Sequence, residues 1–92
     1  MKKRGDISIS KHFVNDSMKL LSGNKKILNN IIEVCIDISQ NYCDSIYYRH
    51  SLQGKLKGIS DFQVTGDIRM FVLFEENNIR FLRIGTHSYL GI

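Results

Sequence analysis

The sequence predicts an α+β fold of order β-α-α-β-β-β, with a mainly antiparallel sheet and a helical hairpin packed on one face. Three observations predict it. Apolar residues recur with helical spacing from Ser10 to Ser39, interrupted once, at Ser22-Gly23-Asn24. From Ile59 onward the pattern changes to alternation, in three runs punctuated by Thr65-Gly66-Asp67 and Asn77-Asn78. A short alternating run, Asp6 to Ser10, precedes the helices.

Taken in order, Ile7 and Ile9 give the first strand one apolar side. Ser10 is placed to cap the helix that follows. Phe13, Val14, Ser17, Met18, Leu20 and Leu21 share a stripe of that helix, and Gly23 with Asn24 supplies a stop and turn. The second helix spans about Lys25 to Ser39. Ile27, Leu28, Ile31, Ile32, Cys35 and Ile38 form its main apolar face, widened by Val34 and Ile36. So short a link folds the two helices into an antiparallel hairpin. Gln40 to Arg49 reads as irregular, with Tyr42, Tyr47 and Tyr48 covering core edges. The remaining strands are Ile59 to Thr65, Asp67 to Glu75 and Ile79 to about Gly85, with Asn77-Asn78 as a hairpin turn.

Length and composition narrow the function classes. With 92 residues, one domain is expected, and 42% apolar with 24% charged residues is a globular balance. The start, MKKRGDISIS, is basic but has no apolar stretch of the kind a signal peptide carries. No run reaches the roughly 18 apolar residues of a membrane span. A cytoplasmic protein is expected. Cys35 and Cys43 show neither CxxC nor Cys/His ligand spacing, so reduced thiols, no zinc and no cofactor are expected. The net charge is +4. Residues 1–48 hold seven basic and five acidic side chains, and residues 49–92 hold six and four. The excess is even, so any anion-binding patch must be assembled by folding.

The residues suited to chemistry gather in the last third. His50, Asp67 and His87 stand at strand ends, and imidazole and carboxylate are the usual proton carriers near neutral pH. Parity adds to them. If Phe62, Met70 and Leu82 face the helices, then Asp61, Gln63, Arg69 and Arg83 converge on the open face. Such a surface would hold the parts phosphodiester cleavage requires: a base, an acid and fixed cations. Each member also has an ordinary reading. Asp67 suits a turn, Arg69 and Arg83 suit surface pairs with Asp61 or Glu75, and Lys55 and Lys57 suit solvated positions. His12, on the first helix, reads as surface.

The segment HSLQGKLKGISDFQV, then GDIRMFV, then IRFLRIGTHSYL resembles the YafQ-like branch of the RelE/ParE toxin superfamily. The His-x-Leu-x-Gly opening, the Lys-Gly pair, the aspartate at a strand junction and the Arg-x-Gly-Thr-His-Ser ending come in that family's order. The match covers about the last 43 residues, and the helical hairpin agrees in pattern. The resemblance implies a RelE-like fold and a bacterial toxin of a type II toxin–antitoxin pair. It implies a ribosome-dependent mRNA endoribonuclease that works without metal, with ribosome (16S rRNA), mRNA and a cognate antitoxin as partners. Carried over by position, His50, Asp61, Asp67 and His87 are the proton-handling candidates. Arg83 is a phosphate contact, Arg69 fills a basic position, and Gln63 stands where the branch has a second strand histidine. Leu90-Gly91 stands where an aromatic is usual. Lys55 and Lys57, with Lys2, Lys3 and Arg4, would hold the RNA backbone. A ParE-like gyrase inhibitor on the same fold, or a toxin that only binds antitoxin or RNA, is the alternative; paired histidines favour the nuclease.

Overall fold

The computed structural model describes residues 6–92. Lys2, Lys3 and Arg4 therefore lie outside the described residues. Five strands and three α-helices follow one another: β1 (Asp6–Ile9), α1 (Lys11–Gly23), α2 (Ile27–Asn41), β2 (Tyr48–Ser51), β3 (Ile59–Thr65), β4 (Ile68–Glu75), β5 (Asn78–Thr86) and α3 (His87–Leu90), with short 3-10 turns at Tyr42–Asp44 and Gly54–Leu56. The five strands form one sheet in the order β1-β5-β4-β3-β2. Pairing is antiparallel from β2 through β5, and β1 joins β5 in parallel.

The helix signals act as read. Ser10 Oγ accepts from the Phe13 amide at 3.0 Å and donates to the Leu82 carbonyl at 2.7 Å, so the cap also ties α1 to β5. The buried line of α2 is Ile27, Ile31, Val34 and Ile38, spaced to fall on one face. Leu28, Ile32 and Ile36 remain exposed, so the apolar stripe is wider than the face that packs. On α1 the core receives Phe13, whereas Val14 and Met18 are exposed and Asp16 is buried in their stead. Tyr42 stacks on Phe74, and Tyr48 meets Phe62 edge to face, which closes the core rim as expected.

Two elements go beyond the sequence reading. Tyr48–Ser51, expected to lie in or beside an irregular stretch, forms edge strand β2. It lacks apolar alternation because β3 alone holds it. The chain also ends in the one-turn helix α3, started by Thr86 Oγ1 accepting from the Tyr89 amide at 3.1 Å. The last hairpin turns one residue earlier than expected, at Glu76-Asn77, with Glu75 opposite Asn78.

Side-chain parity holds on β3 and β4 but changes on β5. Phe62, Met70 and Ile84 lie side by side across three strands, all fully buried. Met70 faces Ile84 while Val72 faces Phe81, so β5 carries one extra residue between them. That bulge sends both Phe81 and Ile84 to the core and leaves Leu82 half-buried, correcting the expectation that Leu82 faces the helices.

Candidate active site

Strand register brings the candidate residues together. Ile68 faces Thr86 at the β4–β5 end, so the next pair outward is Asp67 and His87. Their side chains meet, His87 Nδ1 standing 2.5 Å from Asp67 Oδ1. A carboxylate only accepts, so Nδ1 carries a proton and donates it to Asp67, leaving Nε2 without a bond among the described residues. Both side chains are partly exposed. A turn aspartate has thus become the orienting partner of an imidazole.

Further into the sheet, on its β2–β3 side, His50 pairs in register with Asp61, itself opposite Phe71 of β4. His50 Nε2 lies 3.6 Å from Asp61 Oδ2, within ion-pair range when the ring is protonated. Asp61 is itself fully buried, so this face is not the open polar surface that parity suggested. Arg69 Nη1 donates to the same Oδ2 at 2.5 Å. Burial pushes the Asp61 carboxyl above the usual carboxylate range, and the charges of Arg69, His50 and His87 oppose this without cancelling it. Asp61 Oδ1 and Arg69 Nε are buried and make no hydrogen bond among the described residues. Each such orphan costs about 1–3 kcal/mol, and clusters of this kind concentrate where function outweighs stability.

Gln63 occupies the β3 position opposite Arg69. Both ends of its amide are engaged: Nε2 donates to the Gly66 carbonyl at 2.7 Å, and Oε1 accepts from Arg49 Nε at 2.8 Å. Arg49 is the extra residue of a bulge between Tyr48 and His50 in β2. Lys55 and Lys57 are exposed on the loop between β2 and β3.

Arg83 does not join Asp61 or Glu75. Its Nε and Nη2 donate to the two oxygens of Asp16 on α1, at 2.7 and 3.2 Å. Strand β1 pairs with β5 only as far as Phe81, and beyond it the bare β5 edge is capped by Asp16, whose Oδ2 accepts from the Ile84 amide at 3.1 Å. The Tyr89 hydroxyl donates to Asp16 Oδ1 at 2.8 Å. Burial raises the Asp16 carboxyl, but the bonds from Arg83, Tyr89 and Ile84 and the charge of Arg83 together outweigh it and hold it below the usual value. This hub docks α3, and with it His87, onto the sheet.

Sequence reasoning did not single out Asp16, Arg49 or Tyr89. One signal was present for Asp16: an acid three residues after Phe13 on the packed side of an amphipathic helix. Cys35 and Cys43 are both free, and burial pushes the Cys35 thiol up to about 11, which makes it a packing residue.

A five-stranded, mainly antiparallel sheet with a helical hairpin packed on it is the RelE-like fold of small toxins. The family model for YafQ, bacterial toxin of type II toxin–antitoxin systems, matches residues 5–91, and the chain belongs to that family. Among solved structures, YafQ from E. coli strain BL21(DE3) is 28% identical, with 94% of this chain and 97% of that one aligned at a TM-score of 0.79. The E. coli DinJ–YafQ toxin–antitoxin complex aligns over 96% of this chain and 98% of the other, at 28% identity and 0.79. A metal-bound toxin from Helicobacter pylori is 27% identical over 94% and 98%, at 0.76. No curated protein matches the chain. No helix among the described residues is long and apolar enough to cross a membrane.

Proposed function

We propose that this toxin is a ribosome-dependent mRNA endoribonuclease of the bacterial cytoplasm, restrained by a cognate antitoxin. The observation that carries the reading is the presence of two imidazoles each set against a carboxylate, His50 with Asp61 and His87 with Asp67. Acid–base cleavage of RNA uses two such groups, one to remove a proton and one to supply it. His50 takes the proton of the ribose 2′-hydroxyl on Nδ1, the nitrogen that does not face Asp61 and that lies 3.4 Å from the Ser51 carbonyl, and the charge its ring gains is met by Asp61 at Nε2. The 2′-oxygen then bonds to the adjacent phosphorus, and the bond from phosphorus to the 5′-oxygen breaks. His87, entering the step as the imidazolium with Nδ1–H held by Asp67, gives its Nε2 proton to the departing 5′-oxygen. The products are a 2′,3′-cyclic phosphate and a 5′-hydroxyl end. Asp67 is already committed to His87, which favours His50 as the base.

Arg69 shares Asp61 with His50, while Arg83 is ion-paired to Asp16; Lys55 and Lys57 stand on the loop after His50, where they would meet RNA backbone. A chain of 10.6 kDa has little surface for holding a flexible RNA in line. The ribosome would supply that order, an effect worth up to about 7–11 kcal/mol. The likeness to the DinJ–YafQ complex supports a protein antitoxin as partner.

Primer extension on a reporter mRNA in a translating extract tests the reading. In-frame cuts that depend on the ribosome are expected. Relaxed plasmid DNA accumulating without any mRNA cuts would overturn it in favour of gyrase inhibition.

A further inference from the structure

We propose that Arg49 is the substrate-facing cation of this site, a phosphodiester-binding residue aimed by Gln63. The inference rests on reading the site as a ribonuclease centre and names a residue that reading does not require.

Three guanidiniums stand on the strands that carry the site, Arg49 on β2, Arg69 on β4 and Arg83 on β5, and they differ in what holds them. Arg69 is bonded to the buried carboxylate of Asp61. Arg83 is gripped at two points by the buried carboxylate of Asp16. An incoming phosphate would have to compete with those carboxylates for a charge already largely matched. Arg49 is held only by neutral acceptors: its Nε donates to Gln63 Oε1 at 2.8 Å and its Nη1 to the Tyr48 carbonyl at 3.2 Å. Among the described residues it forms no ion pair, and its Nη2 makes no hydrogen bond. Its charge is therefore uncompensated, and one arm of the fork is free for a phosphate oxygen.

The local structure fixes where that charge stands. As the extra residue of the β2 bulge, Arg49 is turned out of strict alternation, next to His50. The Gln63 amide has one orientation that satisfies both of its contacts. Its NH2 must donate to the Gly66 carbonyl, so its oxygen must face Arg49. Gly66 belongs to the turn that also presents Asp67, the partner of His87. The tether thus links the cation to the turn that orients one imidazole, while its own backbone adjoins the other. Where similar toxins carry a strand histidine, this chain spends a glutamine on positioning a cation. Gln63 is accordingly a positioning residue and Arg49 a binding one.

The test uses isotope-labelled full-length toxin and two probes, inorganic phosphate and a dinucleoside monophosphate whose 2′-hydroxyl is methylated so that it cannot be cut. Titration should shift the Arg49 Nε–H signal. Arg49→Ala should weaken binding of the dinucleotide about tenfold or more, as expected for loss of a charged hydrogen bond. Arg49→Lys should recover part of the loss, and Gln63→Ala should weaken binding less than Arg49→Ala. Arg49 is exposed, so its variants should fold. Unchanged affinity in Arg49→Ala, or no binding of either probe by the wild type at millimolar concentration, overturns the proposal. Cleavage on programmed ribosomes separates it from the broader reading. Binding through Arg49 without any mRNA cuts would sink the ribonuclease and leave the anion site standing. Wild-type cutting rates in Arg49→Ala, together with wild-type probe binding, would remove Arg49 and leave the ribonuclease.

Discussion

Gly85 and Tyr89 pack so closely that a methyl group on Gly85 would stand 2.5 Å from Tyr89 Cδ2. The ring cannot yield freely, because its hydroxyl is bonded to Asp16 and the Arg83 guanidinium lies 5.6 Å from its centroid. Tyr89 sits one half-turn from His87 in α3, so moving the ring moves the imidazole. Gly85→Ala should therefore leave β3 and β4 folded yet lower single-turnover cleavage about 100-fold, the scale of an ångström-sized misplacement. Wild-type cleavage from a folded Gly85→Ala protein would show that α3 tolerates the shift.

Removing His87 itself should be more damaging. His87→Ala is expected to abolish growth arrest, with cleavage down by about 10² to 10⁴-fold, the usual contribution of a general acid. Its side chain is partly exposed, so the melting temperature should change little. Asp67→Asn should cause a smaller loss, since an amide oxygen can still accept from Nδ1–H but carries no charge to stabilise the imidazolium. A folded His87→Ala protein that arrests growth at full strength would take His87 out of the mechanism.

Asp61 offers a direct titration. Burial raises its carboxyl, and Arg69 is the largest opposing influence. Arg69→Met should drive the value higher still, read from the side-chain carboxyl carbon by NMR. The native state then keeps a proton that the unfolded chain has released. Stability falls as pH rises from the ordinary carboxylate value, near ~3.9, to the raised native one. The variant should extend that declining window upward. A downward shift in Arg69→Met would mean that the ion pair does not govern Asp61.

How much of this was written in the sequence differs element by element. The capping by Ser10, the helical periodicity of α2 and the alternation of β3 and β4 are local patterns, and each element formed where its pattern lies. Strand β2 was not legible, because the residues YRHS show no alternation and their pairing comes from β3. The position of Arg83 was not legible either. Counting alternate residues carries a side chain correctly only until a bulge, and the extra residue of β5 falls just before it. For the site, placement at strand ends put His87 beside Asp67 as the pattern suggested, whereas His50 meets the buried Asp61, a pairing that parity along β3 did not give. Arg49 escaped notice because a bulge, which depends on tertiary pairing, gives it its direction.

Asp16 should make the toxin acid-sensitive in a defined way. Its carboxylate serves four contacts: two from Arg83, one from the Ile84 amide and one from the Tyr89 hydroxyl. Asp16→Ala would strand these groups, a loss of about 2 kcal/mol for a buried hydrogen-bonded carboxylate with a half-exposed cation partner. Because its native value lies below the ordinary one, the native state releases the Asp16 proton before the unfolded chain does. The stability this provides is fully present above about pH 4 and is lost as pH falls through the depressed native value. Urea unfolding of the wild type and Asp16→Asn across pH 7 to 2 should show a gap that is constant near neutrality and closes in acid. Asp16→Asn keeps the shape but cannot ionise, so its own curve should lack that step. The hub also docks α3, so the same variant should cut mRNA more slowly at pH 7 even where it is fully folded. A gap that stays open at pH 2, or cleavage that matches the wild type, would show that Asp16 neither stabilises as an anion nor positions His87.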